Sequence, residues 1–179
     1  MRFAPAIPML LCAVASVCGQ TPERQTSDIP YVPTPQAVVD AMLKLANVRA
    51  DDLLIDLGSG DGRIVIAAAK QFGVRAIGVE LDHALVLESR AAAEREHVSE
   101  KVEFIEGDLF RQDLSKASVV TLFLLPSVNL RLRPKLLKEL APGSRIVSHR
   151  FDMGNWQPDR TMVVGGETIY LWIIPRHTK

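Results

Sequence analysis

A chain of 179 residues with 47% apolar side chains is long enough for one domain with a sizeable core and too short for two. Its 21 basic and 21 acidic residues balance, and without a leader that contains only Arg2 the remainder is 20 against 21, a net of −1, which gives no field to gather nucleic acid. Both cysteines, Cys12 and Cys18, lie in that leader, so disulfides, thiolate metal sites and cysteine nucleophiles are excluded from the rest of the chain. His83, His97, His149 and His177 lack metal-ligand spacing, and no metal is expected.

In residues 1–19, Arg2 is followed by the mostly apolar run 3–18 and then by Gly19-Gln20-Thr21-Pro22. The pattern reads as an export signal with a small-residue cleavage point after Gly19 or Ala15. A short uncleaved membrane anchor is the alternative, against which stand Pro5, Pro8 and the shortness of the run. An exported or membrane-associated protein is therefore expected, cytoplasmic or organellar if the segment is not an export signal. Residues 20–30 are polar and proline-bearing and read as a linker, and residues 31–179 as the folded domain.

Order begins at Tyr31-Val32-Pro33-Thr34-Pro35. Thr34 suits an N-cap and Pro35 the first helical position, and Val38, Val39, Met42, Leu43, Leu45 and Ala46 form one apolar face up to Asn47. The apolar strand Leu53-Leu54-Ile55-Asp56-Leu57 then enters Gly58-Ser59-Gly60-Asp61-Gly62, and a helix runs to Phe72. Alternate glycines let the backbone pass close to a ligand. Asp56 and the first amides of the helix would face an ammonium and a carboxylate, the two charged groups of the methionine end of S-adenosylmethionine. A dinucleotide loop would need a small residue where Arg63 stands, and a strand-turn-helix that holds no ligand is the other alternative.

A second strand over 74–79 ends in Glu80, about twenty positions after the glycine loop, in register to accept hydrogen bonds from ribose hydroxyls. Asp82 is the better-placed cap for the helix that starts at His83 and runs to about His97. The third strand, 102–106, leads through Gly107 to Asp108, expected beside the adenine amino group. Strands over 119–124 and 145–148 flank a helix over 129–140 that Pro134 is expected to divide. Segments 161–164 and 168–174 then flank Gly165-Gly166, a tight hairpin signal. The pattern predicts an α/β domain: a doubly wound, mostly parallel, seven-stranded sheet of the Rossmann-like kind, with a C-terminal antiparallel hairpin.

Tyr31-Val32-Pro33-Thr34-Pro35, Asp56-Leu57-Gly58-Ser59-Gly60-Asp61-Gly62-Arg63-Ile64-Val65, Gly78-Val79-Glu80-Leu81, Gly107-Asp108-Leu109, Leu125-Pro126-Ser127-Val128, Arg145-Ile146-Val147-Ser148 and Trp156-Gln157-Pro158 together resemble one group of proteins. They are similar to the mitochondrial protein-lysine methyltransferases that modify the adenine nucleotide translocase and the ATP-synthase c-subunit. The resemblance implies a class I methyltransferase fold and S-adenosyl-L-methionine as cofactor. It also implies a cofactor site made by Asp56, Gly58, Ser59, Gly60, Asp61, Glu80, Asp108 and Leu109, with the segment bearing Tyr31 and Thr34 folded over the methionine end. The chain departs from the group at its amino terminus, where an apparent export signal stands in place of a mitochondrial leader with a hydrophobic anchor.

A sulfonium-activated methyl group needs an aligned nucleophile and exclusion of water rather than a covalent catalyst. The lack of cysteine argues against cytosine-C5 chemistry. Leu125-Pro126-Ser127 lacks the Asp/Asn-Pro-Pro-aromatic tetrapeptide that grips planar amides and amino-adenine. An amine is left as acceptor, and a lysine amine loses its proton more readily when buried beside a cation. Acceptor-side candidates are Pro126, His149 and Trp156, with Arg150 and Phe151 beside them. The alternative for Trp156 is that it closes the core, and Arg131, Arg133, Lys135 and Lys138 read as a solvated face. The expected function is methyl transfer to an amine, foremost a protein lysine, with a protein as partner, no nucleic acid, and proximity to a membrane through the N-terminal segment. The alternatives are a small-molecule methyltransferase and an S-adenosylmethionine-binding protein without turnover.

Overall fold

The computed structural model describes residues 32–176. The leader, the linker, Tyr31 and His177 lie outside the described residues. Within them the elements run α1 (Gln36–Leu45), β1 (Leu53–Leu57), α2 (Arg63–Phe72), β2 (Arg75–Glu80), α3 (His83–Arg95), β3 (Val102–Glu106), β4 (Val119–Leu122), α4 (Pro126–Glu139), β5 (Arg145–His149), β6 (Arg160–Val164) and β7 (Glu167–Ile173).

The strands form one sheet in the order β3-β2-β1-β4-β5-β7-β6. The first five are parallel, and β7 runs antiparallel to β5 and to β6. Gly165 and Gly166, at φ 60° and 84°, supply the two left-handed residues of the β6–β7 turn, as their dipeptide predicts. Strand order reverses between β1 and β4, and a sheet of this kind opens its ligand crevice at the carboxyl ends of the strands beside such a reversal.

Central strands are buried on both faces, so successive side chains feed two separate cores. Leu54, Ala76, Val119 and Val147 pack under α1, α2 and α3. Ile55, Val79, Val120 and Ile146 pack with Leu132, Leu136 and Leu140 at α4, and with Met153 and Trp172. Gly78 in β2 is a close-approach position: a Cβ there would lie 2.7 Å from both Phe104 Cδ1 and Ser59 Oγ. Arg145 ties the end of α1 to β5, donating to the carbonyls of Ala46 and Asn47 at 2.9 Å and pairing with Asp52.

Three local expectations are corrected. Thr34 does not cap α1: the cap is Pro35, whose carbonyl takes the amides of Val38 and Val39, and residue 34 lies one position too early for its hydroxyl to reach them. Helix α4 starts at Pro126 rather than Asn129, because proline is at home at the first helical position, where its missing N–H costs no bond. Pro134 does not divide α4. It sits on the exposed side, where a carbonyl that loses its helical partner can be solvated instead. Asp82 caps α3 as expected, accepting from Ala84 N at 2.7 Å.

Candidate functional site

A cavity of about 620 Å³ opens where the carboxyl ends of β1, β2, β3 and β4 meet. Its floor is the glycine turn. Gly58, Gly60 and Gly62 all have positive φ, 78°, 54° and 77°, which a side chain would strain. A Cβ at Gly58 would also lie 2.8 Å from Leu124 Cδ2. Gly58 N and Ser59 N both donate to Val79 O, at 2.9 and 3.0 Å, so the turn is fastened to β2.

Asp56 lies at the cavity floor with 2% exposure, accepting Thr121 Oγ1–H at 2.7 Å. Burial foremost raises its pKa to about 7; the Thr121 hydrogen bond opposes this, and the charges of Glu80 and Asp61 add to it. Glu80 serves two structures at once. Its Oε2 accepts Gly60 N–H at 2.9 Å, its Oε1 accepts the amides of Leu81 and Asp82 at 2.7 and 3.0 Å, and the side chain borders the cavity. Asp108 and Leu109 border it too, Asp108 Oδ1 accepting Phe110 N–H at 2.9 Å. Gly60 is the one glycine-loop candidate among these that stands behind the surface, its N–H committed to Glu80.

Asp61 faces the cavity, and Arg63 grips its carboxylate through Nε and Nη2 at 2.9 and 2.6 Å. The first amide of α2, Arg63 N, also donates to Asp61 rather than standing open. The same guanidinium donates from Nη1 to Thr34 O at 2.9 Å, drawing residues 32–35 over the cavity, where Val32 and Thr34 line it. Arg63 thus excludes the small residue of a dinucleotide loop and closes the site. Only the first of these two roles is legible in the sequence pattern.

Beside β4 and β5, where the sequence places the acceptor candidates, the cavity is lined by Phe123, Leu124, Leu125, Val128, Arg150 and Phe151. Of these, Arg150 and Phe151 are legible in the sequence. Phe123 reads there as strand, although it lies on the same face as Thr121 two residues earlier, which is the available signal. Pro126, His149 and Trp156 stand off the cavity surface. Pro126 is exposed at the start of α4. His149, at 2% exposure, sits behind Phe123, with ring centroids 4.1 Å apart. Trp156 packs on Trp172 at 5.9 Å and accepts its Nε1–H at the backbone carbonyl, beside the second core.

These groups suit S-adenosylmethionine. Ser59 Oγ is buried at the cavity floor with no hydrogen-bond partner among the described residues, an acceptor and donor held ready. Carboxylates from three successive strand ends, Asp56, Glu80 and Asp108, match an ammonium, a pair of ribose hydroxyls and an amino group. No group of histidine, cysteine, aspartate or glutamate side chains able to hold a metal occurs among the described residues.

Known proteins agree with this geometry. The ANTKMT methyltransferase domain matches residues 56–160. A protein-lysine N-methyltransferase of Saccharolobus islandicus is 46% identical over 154 residues, covering 83% of this chain and 96% of that protein. The human lysine N-methyltransferase of the ATP-synthase c-subunit is 36% identical over 170 residues, covering 95% of this chain and 68% of that protein. A Salinibacter ruber structure, described as an RNA methyltransferase in complex with S-adenosyl-L-homocysteine, superposes with a TM-score of 0.80 at 55% identity and covers 83% of this chain and 97% of that one. With the seven-stranded sheet, the glycine turn and its acidic rim, the match is complete enough to conclude that this chain belongs to the ANTKMT methyltransferase-domain family of S-adenosylmethionine-dependent enzymes.

Proposed function

We propose that the chain methylates the side-chain amine of a lysine in a protein. The observation that carries this reading is the cavity lining in the order of the strands: Asp108, Glu80 and Asp56 at β3, β2 and β1, then Phe123, Leu125, Val128 and Phe151, with Arg150, after β4 and β5. An apolar channel favours the neutral form of an entering lysine, which is the nucleophilic one, so no dedicated base is required. The names of the Saccharolobus and human relatives support the same acceptor.

When bound, the cofactor supplies a methyl group already activated by its sulfonium. In this reading Asp56 holds the ammonium, Glu80 the ribose and Asp108 the adenine amino group, while Ser59 offers its hydroxyl and Leu109 an apolar face. Asp61, Arg63 and Thr34 hold residues 32–35 across the opening and exclude water. Phe123, Phe151 and Arg150 orient the acceptor. Tyr31 lies outside the described residues, and we take residues 1–19 to be an export signal. Mass determination of the mature amino terminus tests that signal, and an intact Met1 in purified protein would reject it.

The name of the Salinibacter ruber relative supplies the second reading, an RNA acceptor. Against it stand a net charge of −1 outside the leader and Phe123-Leu124-Leu125-Pro126 where an amino-adenine grip would lie. One experiment separates them. Tritiated cofactor is incubated with the enzyme and with cell extract, and the label is followed through nuclease and through chemical blocking of lysines. Label that survives nuclease and is lost on blocking is expected, whereas nuclease-sensitive label would establish RNA.

A further inference from the structure

Behind the cavity wall, a chain of polar contacts joins the glycine turn to the residues after β5. Asp61 takes the Arg63 fork, and Arg63 Nη1 donates to Thr34 O at 2.9 Å. Thr34 Oγ1 lies 3.2 Å from His149 Nδ1, and His149 Nε2 lies 3.2 Å from Glu167 Oε2. Glu167 in turn accepts Arg150 Nε–H and Nη2–H at 3.2 and 3.1 Å. Both ends of the chain, Asp61 and Arg150, line the cavity, whereas its middle, His149, does not.

The middle is specified in detail. A carboxylate oxygen beside Nε2 requires a proton there, so in the neutral ring Nδ1 is the acceptor and Thr34 donates to it. Burial holds the imidazole below its ordinary pKa; the Glu167 hydrogen bond and charge oppose this and the charge of Arg150 adds to it, and Phe123 covers the ring face. At the far end Arg150 has φ 67°, left-handed for a residue with a side chain, and is held there by its N–H to Thr168 O at 2.6 Å and by Glu167. A strained residue at a site persists only when its surroundings fix it.

We propose that His149 is a positioning residue with two separable sides: its Nδ1 edge fixes residues 32–35 over the cofactor, and its Nε2 edge fixes Glu167 and, through it, Arg150 on the acceptor wall. It touches neither cofactor nor acceptor.

Two amide variants divide the ring. Asparagine places a polar atom where Nδ1 lies and leaves Nε2 without a replacement, and glutamine does the reverse. The full chain carrying His149→Gln or His149→Asn is compared with wild type by calorimetric titration of S-adenosylhomocysteine and by hydrogen exchange of peptides spanning 32–46 and 150–168. His149→Gln should weaken binding about fivefold, the effect of one lost hydrogen bond, and speed exchange in the first peptide alone. His149→Asn should leave binding within about twofold and speed exchange in the second peptide alone. Equal effects of the two variants on both readouts, or none, would mean that His149 only fills space and would overturn the proposal. If neither variant folds, Thr34→Val must reproduce the first pattern and Glu167→Gln the second, and failure of that pairing overturns it equally.

Discussion

Thr121 donates its hydroxyl to Asp56 at 2.7 Å across the register pair that joins the ends of β1 and β4. This one bond is set against burial, which raises the carboxyl from 3.8 to about 7. A cation placed against Asp56 favours the carboxylate, so binding near neutral pH expels a proton. Affinity for S-adenosylhomocysteine should therefore rise as pH climbs from about 6 to about 8, with a slope of at most about one decade per unit below the pKa. Calorimetry in buffers of different ionisation heat reads the released proton directly. The ligand's own amine also titrates in this range, so Asp56→Asn is the reference. A profile identical in wild type and variant would remove Asp56 from the ammonium site.

The same carboxyl makes a stability prediction of opposite sign. A group whose pKa is raised on folding contributes stability that is full below its unfolded value, 3.8, and lost as pH rises through about 7. Asp56→Asn, which cannot ionise, should therefore melt above wild type at about pH 8 and close to it at about pH 4, while binding ligand more weakly at about pH 8 and nearly as wild type does at about pH 4. Thermal melts across that range provide the check. A variant less stable than wild type at alkaline pH would contradict the assignment.

Glu80 accepts three backbone amides besides its place at the cavity rim, so its removal loosens the glycine turn as well as the ribose contact. Glu80→Ala should weaken S-adenosylhomocysteine by about 1.5–3 kcal/mol, the range for hydrogen bonds to a charged group. NAD should not compete, because Arg63 fills the position that a dinucleotide loop leaves small. Displacement of bound S-adenosylhomocysteine by NAD would reject that exclusion.

The succession of strands and helices and the rim of acids are legible in the sequence because each rests on local pattern: apolar runs, a glycine turn, an acid at the end of β2 and another just after β3, and a Gly-Gly hairpin. What is not legible depends on which side of a wall a residue stands. His149 and Arg150 are neighbours in sequence, and a turn into the left-handed region at Arg150 sends one behind Phe123 and the other to the cavity. Thr34 reads as a helix cap by residue type. Its hydroxyl is instead claimed by a histidine 115 positions away, which no local pattern announces. Trp156 is open in sequence between acceptor wall and core, and its packing on Trp172 follows from the insertion of β7 between β5 and β6.

Gly78 offers a test of how closely the cofactor turn is packed on the sheet. Adding a methyl there meets Phe104 and Ser59 Oγ at 2.7 Å, and strand backbone on either side cannot retreat from both. Gly78→Ala should cost about 1–3 kcal/mol in denaturant unfolding, as overpacking does, and should lower cofactor affinity because Ser59 must move. An unchanged unfolding midpoint would show that the turn is looser than its contacts indicate.

The last prediction separates the acceptor wall from its support. Phe151 faces the cavity, stacked at 6.3 Å on Phe123, whereas Trp156 lies against Trp172 with Arg133 over its ring at 5.8 Å. Phe151→Ala should therefore reduce methyl transfer to protein by about tenfold or more while leaving S-adenosylhomocysteine affinity within about twofold, since an aromatic face lost from an acceptor channel affects the orientation of the neutral amine and the stabilisation of the positive charge it gains on methylation. Trp156→Ala should instead lower stability by about 2–3 kcal/mol, less than a fully buried tryptophan because the side chain is only half-buried, with turnover per folded molecule nearly retained. Transfer rates on labelled extract, normalised to the folded fraction from denaturant curves, distinguish the two. A Trp156 variant that is fully stable yet inactive would return that residue to the acceptor wall and displace Phe151 from it.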